Sequence, residues 1–97
     1  MLNGKQRAAL RAAANGLDAW FQIGKGGISD NMVADVSAAL DAHELVKLTV
    51  LRTADEEPKV LLRTLAERLG AEEVAAVGGK IVLYRRSERD GVKHIEF

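Results

Sequence analysis

The sequence predicts an α/β domain of the α+β kind, a four-stranded mixed sheet packed against helices in the order α-β-α-β-α-β-β. Three observations carry this. Three segments repeat apolar residues at helical spacing, and others alternate or run apolar over strand lengths. The boundaries coincide with residues that start or stop elements: Ser29, Pro58, Gly70 and the Gly78-Gly79 pair. Helices alternating with strands are the signature of layered α/β and α+β architectures.

The first helix is expected in "GKQRAALRAAANGL", where Leu10, Ala13, Ala14 and Leu17 share one face and Asn15-Gly16 is a stop. Arg7 and Arg11 stand four apart on another face of it. "AWFQI", residues 19–23, is aromatic and β-rich, and predicts a strand. Ser29 is placed to cap the second helix, "DNMVADVSAALDAH". Ile28 and Val33 occupy the positions of a hydrophobic staple. Met32, Val33, Val36, Ala39 and Leu40 form its buried stripe, and Asp30 and His43 suit the two ends of its dipole.

"ELVKLTVLR", residues 44–52, alternates as a strand does, with Val46, Leu48 and Val50 inward and Lys47 and Thr49 on the far face. A polar loop, "TADEE", precedes Pro58, which fits the first helical position. Leu61, Leu62, Leu65, Ala66 and Leu69 define the third helix, which Gly70 ends. "EVAAV", the Gly78-Gly79 turn and "KIVLYR" predict a hairpin. The tail "RSERDGVKHIEF" is polar until Ile95 and is expected to be partly loose from residue 87 to 97.

At 97 residues the chain is expected to form one domain, residues 1–97, burying about two thirds of the surface its unfolded form exposes. The 47% hydrophobic and 29% charged content is that of a globular rather than a disordered protein. There is no cysteine, which excludes disulfides and thiol chemistry. No apolar run approaches the length of a membrane span, and the start lacks the apolar core of a signal peptide, so a cytoplasmic location without a membrane partner is expected. The formal net charge is zero, which argues against coating nucleic acid by bulk charge. Distribution is more informative. Residues 1–29 carry Lys5, Arg7, Arg11 and Lys25 against Asp18 alone, while acids gather in "DEE" at 55–57 and at Glu72-Glu73. A basic side and an acidic side are thus expected.

Patterns for catalysis and metal binding are weak. His43-Glu44 has no second histidine four residues on, so the zinc-protease pattern fails. "GKGGIS" lacks the spacing of a nucleotide-hydrolysing phosphate loop. No cofactor, no small-molecule substrate and no enzyme activity are therefore expected. What remains is Gly24-Lys25-Gly26-Gly27, a G-x-x-G sequence between a predicted strand and a capped helix. N–H groups at a helix start attract anions, glycines admit a phosphodiester without a Cβ, and Lys25 adds a mobile cation. A G-x-x-G loop clamps nucleotide backbone in KH domains. The residues alone leave phosphate-backbone binding and a plain strand-to-helix turn open.

Four pieces, "KQRAALRAAA", "QIGKGGIS", "ALDAHELVKL" and "AVGGKIVLYRR", follow one another across residues 3–86. In order and spacing they resemble the YhbY-like family, also called the CRM (chloroplast RNA splicing and ribosome maturation) domain. The resemblance implies a fold similar to the C-terminal domain of translation initiation factor three, with a KH-like G-x-x-G loop. It implies RNA binding, with ribosomal RNA and the precursor of the large ribosomal subunit as partners. The implied RNA-binding residues are Gly24, Lys25, Gly26 and Gly27 in the loop and Lys5, Arg7 and Arg11 on the first helix. Lys47 of the "HELVK" element and Arg85 of the terminal "YR", with Arg86 beside it, complete the set. The chain departs from the family in carrying "LDAWF" where a proline often precedes the first strand, and in being less basic. The plainer expectations are a turn for the glycines, a solvated face for Lys5, Arg7 and Arg11, and a water-facing strand position for Lys47. Trp20, Phe21, Leu45 and Tyr84 are expected in the core or sheet, and His43 at a helix end. The rival functional expectation is a protein-interaction domain that docks on an assembly particle without touching RNA.

Overall fold

The computed structural model describes residues 2–96. Its elements are α1 (Gly4–Ala14), β1 (Phe21–Ile23), α2 (Asp30–His43), β2 (Leu45–Val50), α3 (Pro58–Leu69), β3 (Glu72–Val77) and β4 (Lys80–Tyr84). The strands form one mixed sheet in the order β1-β2-β4-β3. β1 runs parallel to β2, and β4 is antiparallel to both its neighbours. β1, β2 and β3 therefore point the same way. Their carboxyl ends lead into the glycine loop, the 51–57 connection and the hairpin turn, all at one end of the sheet.

Period-two alternation gives the sheet two apolar faces. Ile23, Val46, Leu48, Ile81 and Leu83 face α2 and α3, meeting Val36 and Leu40 of one and the leucines of the other. Ile28 and Val33 pack against this core as well, so the staple residues serve it. Leu45, Val82, Tyr84 and Val74 face the other way, against Leu10 and Ala14 of α1, with Leu2, Leu17 and Ile95 around them. Truncating a fully buried leucine such as Leu48 or Leu65 costs about 2–5 kcal/mol, by lost transfer energy plus the cavity left.

Local signals act where expected. Ser29 Oγ accepts the Met32 N–H at 3.1 Å, Pro58 opens α3, and Gly70 ends it in the left-handed region at φ 62°. Asn3 and Gln6 add a reciprocal capping box at the start of α1.

Four expectations need correction. The first helix ends at Ala14 with Asn15 as its cap, as expected, but Ala13 faces solvent, because the buried line runs Leu10–Ala14 and continues to Leu17 outside the helix. The first strand begins at Phe21, since only Phe21, Gln22 and Ile23 find partners on β2. Trp20 is consequently not a core residue: it is 48% exposed, with its ring 4.7 Å from that of His43. The second strand starts at Leu45 because Glu44 takes φ 66° as the C-cap of α2.

The tail is the fourth. Its described residues, 87–96, form no helix or strand, yet they are tethered. Glu44 is fully buried, and its carboxylate accepts the Ser87 N–H at 2.6 Å and the Ile95 N–H at 2.8 Å, with His94 Nδ1 at 2.6 Å. Burial pushes this carboxyl up, but the hydrogen bonds from His94, Ser87 and Ile95 outweigh it and hold the group below its ordinary value. Polar composition made the tail look loose because its anchor lies some fifty positions earlier. Phe97, the last residue of that segment, lies outside the described residues.

Candidate nucleic-acid interface

The glycine loop is a turn closed by the Gly27 N–H donating to the Gly24 carbonyl at 3.1 Å. Its glycines serve two different needs. Gly26 and Gly27 adopt φ 97° and 69°, which side-chain-bearing residues rarely take. Gly24 is held close to the next connection, where a Cβ would meet Thr53 Oγ1 at 3.2 Å and Leu51 Cδ1 at 3.4 Å. The turn consumes the Gly27 N–H and leaves those of Lys25 and Gly26 without a partner among the described residues. Asp30 and Asn31, in the first turn of α2, likewise keep open N–H groups, as helix starts do. Lys25 is exposed and makes no ion pair among the described residues.

Two neighbours shape the electrostatics. The Asp30 side chain is 96% exposed and pairs with Arg68 at 2.8 Å, so an acid stands at the very helix start that would favour an anion. The 55–57 acidic run lies in the connection after β2, at the same end of the sheet as the glycine loop. Lys25 and the acidic run therefore share one end of the sheet. The acidic connection leads to α3 and its face of the sheet. The opposite face carries Lys47 on β2 and Lys80 on β4.

The remaining predicted residues separate into free and engaged cations. The side chains of Lys5, Arg11 and Arg86 are exposed and make no hydrogen bond or ion pair among the described residues, though Arg86 acts electrostatically on Tyr84. Arg7 Nε donates to the Glu73 carbonyl at 3.2 Å, on β3, the strand at the opposite edge of the sheet from the glycine loop. Arg7 and Arg11, four apart on α1, line adjoining hollows that share Ala75: Arg11 with Lys47 and Lys80, Arg7 with Lys59, Arg63 and Glu73. Lys47 Nζ donates to the Ala14 carbonyl at 3.3 Å and the Leu17 carbonyl at 3.4 Å, closing the end of α1. Arg85 is the most engaged. It donates to the Leu69 carbonyl at 2.9 Å, the Ser37 carbonyl at 2.9 Å, Ser37 Oγ and Asp41 Oδ1. Its guanidinium joins α2 to the end of α3, which is a structural task.

Sequence reasoning missed Lys80, whose Nζ donates to Thr49 Oγ1 at 2.7 Å. The signal was present: Lys80 immediately follows the glycine turn and shares the period-two face of Val82. Among the described residues no group of histidines and carboxylates is arranged to hold a metal, and no helix is long and apolar enough to cross a membrane.

Fold and site together define a small α+β domain with a glycine loop and open N–H groups at the carboxyl ends of parallel strands. The chain belongs to the CRS1 / YhbY (CRM) domain family, whose model matches residues 2–85. It is 40% identical to "Probable RNA-binding protein YqeI" of Bacillus subtilis, over 99% of this chain and 98% of that protein. It is 30% identical to an "RNA-binding protein" of Haemophilus influenzae, over 90% of this chain and 88% of that one. The solution structure of the hypothetical protein SAV1595 from Staphylococcus aureus superposes with a TM-score of 0.79 at 42% identity, covering 93% of this chain and 94% of the other.

Proposed function

We propose that this protein binds RNA by its sugar-phosphate backbone, with the glycine loop as the central contact. In this reading the RNA is ribosomal, and the protein takes part in assembly of the large ribosomal subunit in the cytoplasm as a binding module rather than an enzyme. The observation that carries it is the pairing of open N–H groups on Lys25 and Gly26 with an unpaired, exposed lysine at the turn. Such a site suits phosphate. Family membership and the names of the relatives support RNA as the ligand class. Backbone contacts position rather than specify, so sequence preference is expected to be low.

Lys25→Ala tests this with little effect expected on the turn, because the exposed side chain makes no hydrogen bond or ion pair among the described residues. Binding of a fluorescent single-stranded RNA, followed by anisotropy over a salt series, should weaken. The log-log salt slope should flatten by about 0.7 for one lost phosphate contact. Equal affinity and slope in wild type and variant would refute the loop mechanism. The second reading, docking on an assembly particle through protein contacts, is favoured by the zero net charge and by Asp30 at the helix start. It predicts co-sedimentation with pre-ribosomes by a protein that binds no free RNA.

A further inference from the structure

Between the end of α1 and the β3–β4 hairpin lies a half-open hollow of about 310 Å³, at the small end of ligand pockets. Its floor is apolar, made of Ala75, Val77 and Val82, and its rim carries Arg11, Lys47 and Lys80. Among the described residues no acidic side chain lines it. It exists because α1 stops at Ala14 and covers only part of its sheet face. Val77 is left 70% exposed, the most exposed large apolar side chain among the described residues.

The rim cations are only partly used. The Arg11 side chain makes no hydrogen bond or ion pair among the described residues. Lys80 gives one of its three protons to Thr49, and Lys47 holds two carbonyls. An apolar floor under a cationic rim suits a flat ring carried on a phosphate backbone. The hairpin turn beside the hollow is joined to β2 by the Val50 N–H donating to the Gly79 carbonyl. β2 in turn is joined to β1, where the glycine loop starts, by the Leu51 N–H donating to the Ile23 carbonyl. Two to three strand spacings separate loop and hollow across the sheet, about 10–14 Å.

We infer that this hollow is a nucleotide subsite: an unpaired nucleotide of the bound RNA lays its base on Val77 and Val82 while its phosphates meet Arg11 and Lys80. The inference rests on RNA being the ligand, as proposed above, and extends it from a loop contact to a track that turns over the α1 side of the sheet. That route leads away from the acidic connection. It also accounts for exposed Val77, which no packing need explains.

The test is a ¹H–¹⁵N NMR titration of the full chain with octauridylate, repeated on Arg11→Ala/Lys80→Ala and on Val77→Glu. All three positions are exposed, so the fold should persist, as wild-type-like spectra would verify. The expected result is shifts at Asn15, Val77 and Val82 together with the loop amides. In the double variant the hollow falls silent while the loop still responds, and the salt slope flattens by about 1.4, about 0.7 for each of two contacts. Val77→Glu should abolish the hollow's response too. Shifts confined to residues 24–31 would overturn the subsite and leave the loop reading standing. Shifts in the hollow with a silent loop would uphold the subsite and overturn the loop. Silence everywhere overturns both, and a response in the hollow to duplex RNA but not to octauridylate overturns the unpaired-nucleotide assignment.

Discussion

Replacing Glu44 by glutamine removes one charge and almost no volume from the most buried polar side chain of the fold. Oε1 accepts the Ile95 N–H, and Oε2 accepts the Ser87 N–H and faces His94 Nδ1. An amide has one acceptor oxygen and one donor nitrogen. Whichever way it turns, one backbone N–H now meets an N–H₂. A buried donor left unsatisfied costs about 1–3 kcal/mol, and the surviving bonds lose their charge assistance. A loss of about 2–3 kcal/mol follows, which for a domain of this size lowers Tm by about 10–20 °C. The pH dependence identifies the cause. Folding lowers the Glu44 carboxyl below its ordinary value of 4.5, so the unfolded chain binds more protons than the folded one as the pH drops. The contribution is complete above that value and fades as the pH falls through the lower folded one. Thermal unfolding of both proteins from pH 7 to pH 3 should show a gap that narrows below about pH 4.5. Amide exchange at Ser87 and Ile95 should quicken in the variant at pH 7. A Tm within about 2 °C of wild type, or a gap that ignores pH, would refute the account.

Other consequences are open to measurement. Arg85→Ala removes four hydrogen bonds that join α2, α3 and the end of β4, and urea titration should show a loss of about 2–4 kcal/mol; unchanged stability with weakened RNA binding would return Arg85 to the interface. Gly26→Ala forces a side chain into φ 97° and should cost about 1–2 kcal/mol without any contact being lost, as chemical denaturation would reveal. Lys47→Met keeps most of the apolar stem and removes the bonds to Ala14 and Leu17; a loss of about 1 kcal/mol and faster amide exchange at the end of α1 are expected.

What the sequence made legible was local. Ser29, Pro58, Gly70 and Gly78 act on their own neighbours, so their effect can be read without the fold. The apolar stripes of α2 and α3 were legible for the same reason. Trp20 was misplaced because a strand's length depends on how many partners the next strand offers, and β2 offers β1 three. The candidate site was legible in its loop but not in its surroundings. Lys47 and Arg85 look like surface cations in one dimension, and their carbonyl partners lie 16 to 48 positions away. Residues 55–57 look remote from the loop until parallel pairing of β1 with β2 brings their connections to one end.

The pairing of Arg7 with the Glu73 carbonyl bears on how the molecule avoids itself. A sheet border with idle peptide groups invites a second copy to add its own strand. Here one border, β1, is only three residues long. The other, β3, is six residues long, but its pairing slips between Glu73 and Ala75, and Arg7 occupies a carbonyl at the slip. An irregular, charge-tipped border cannot zip against a flat one. The Arg7 side chain thereby blunts the β3 border against strand addition, a duty separate from any contact the other cations of α1 make.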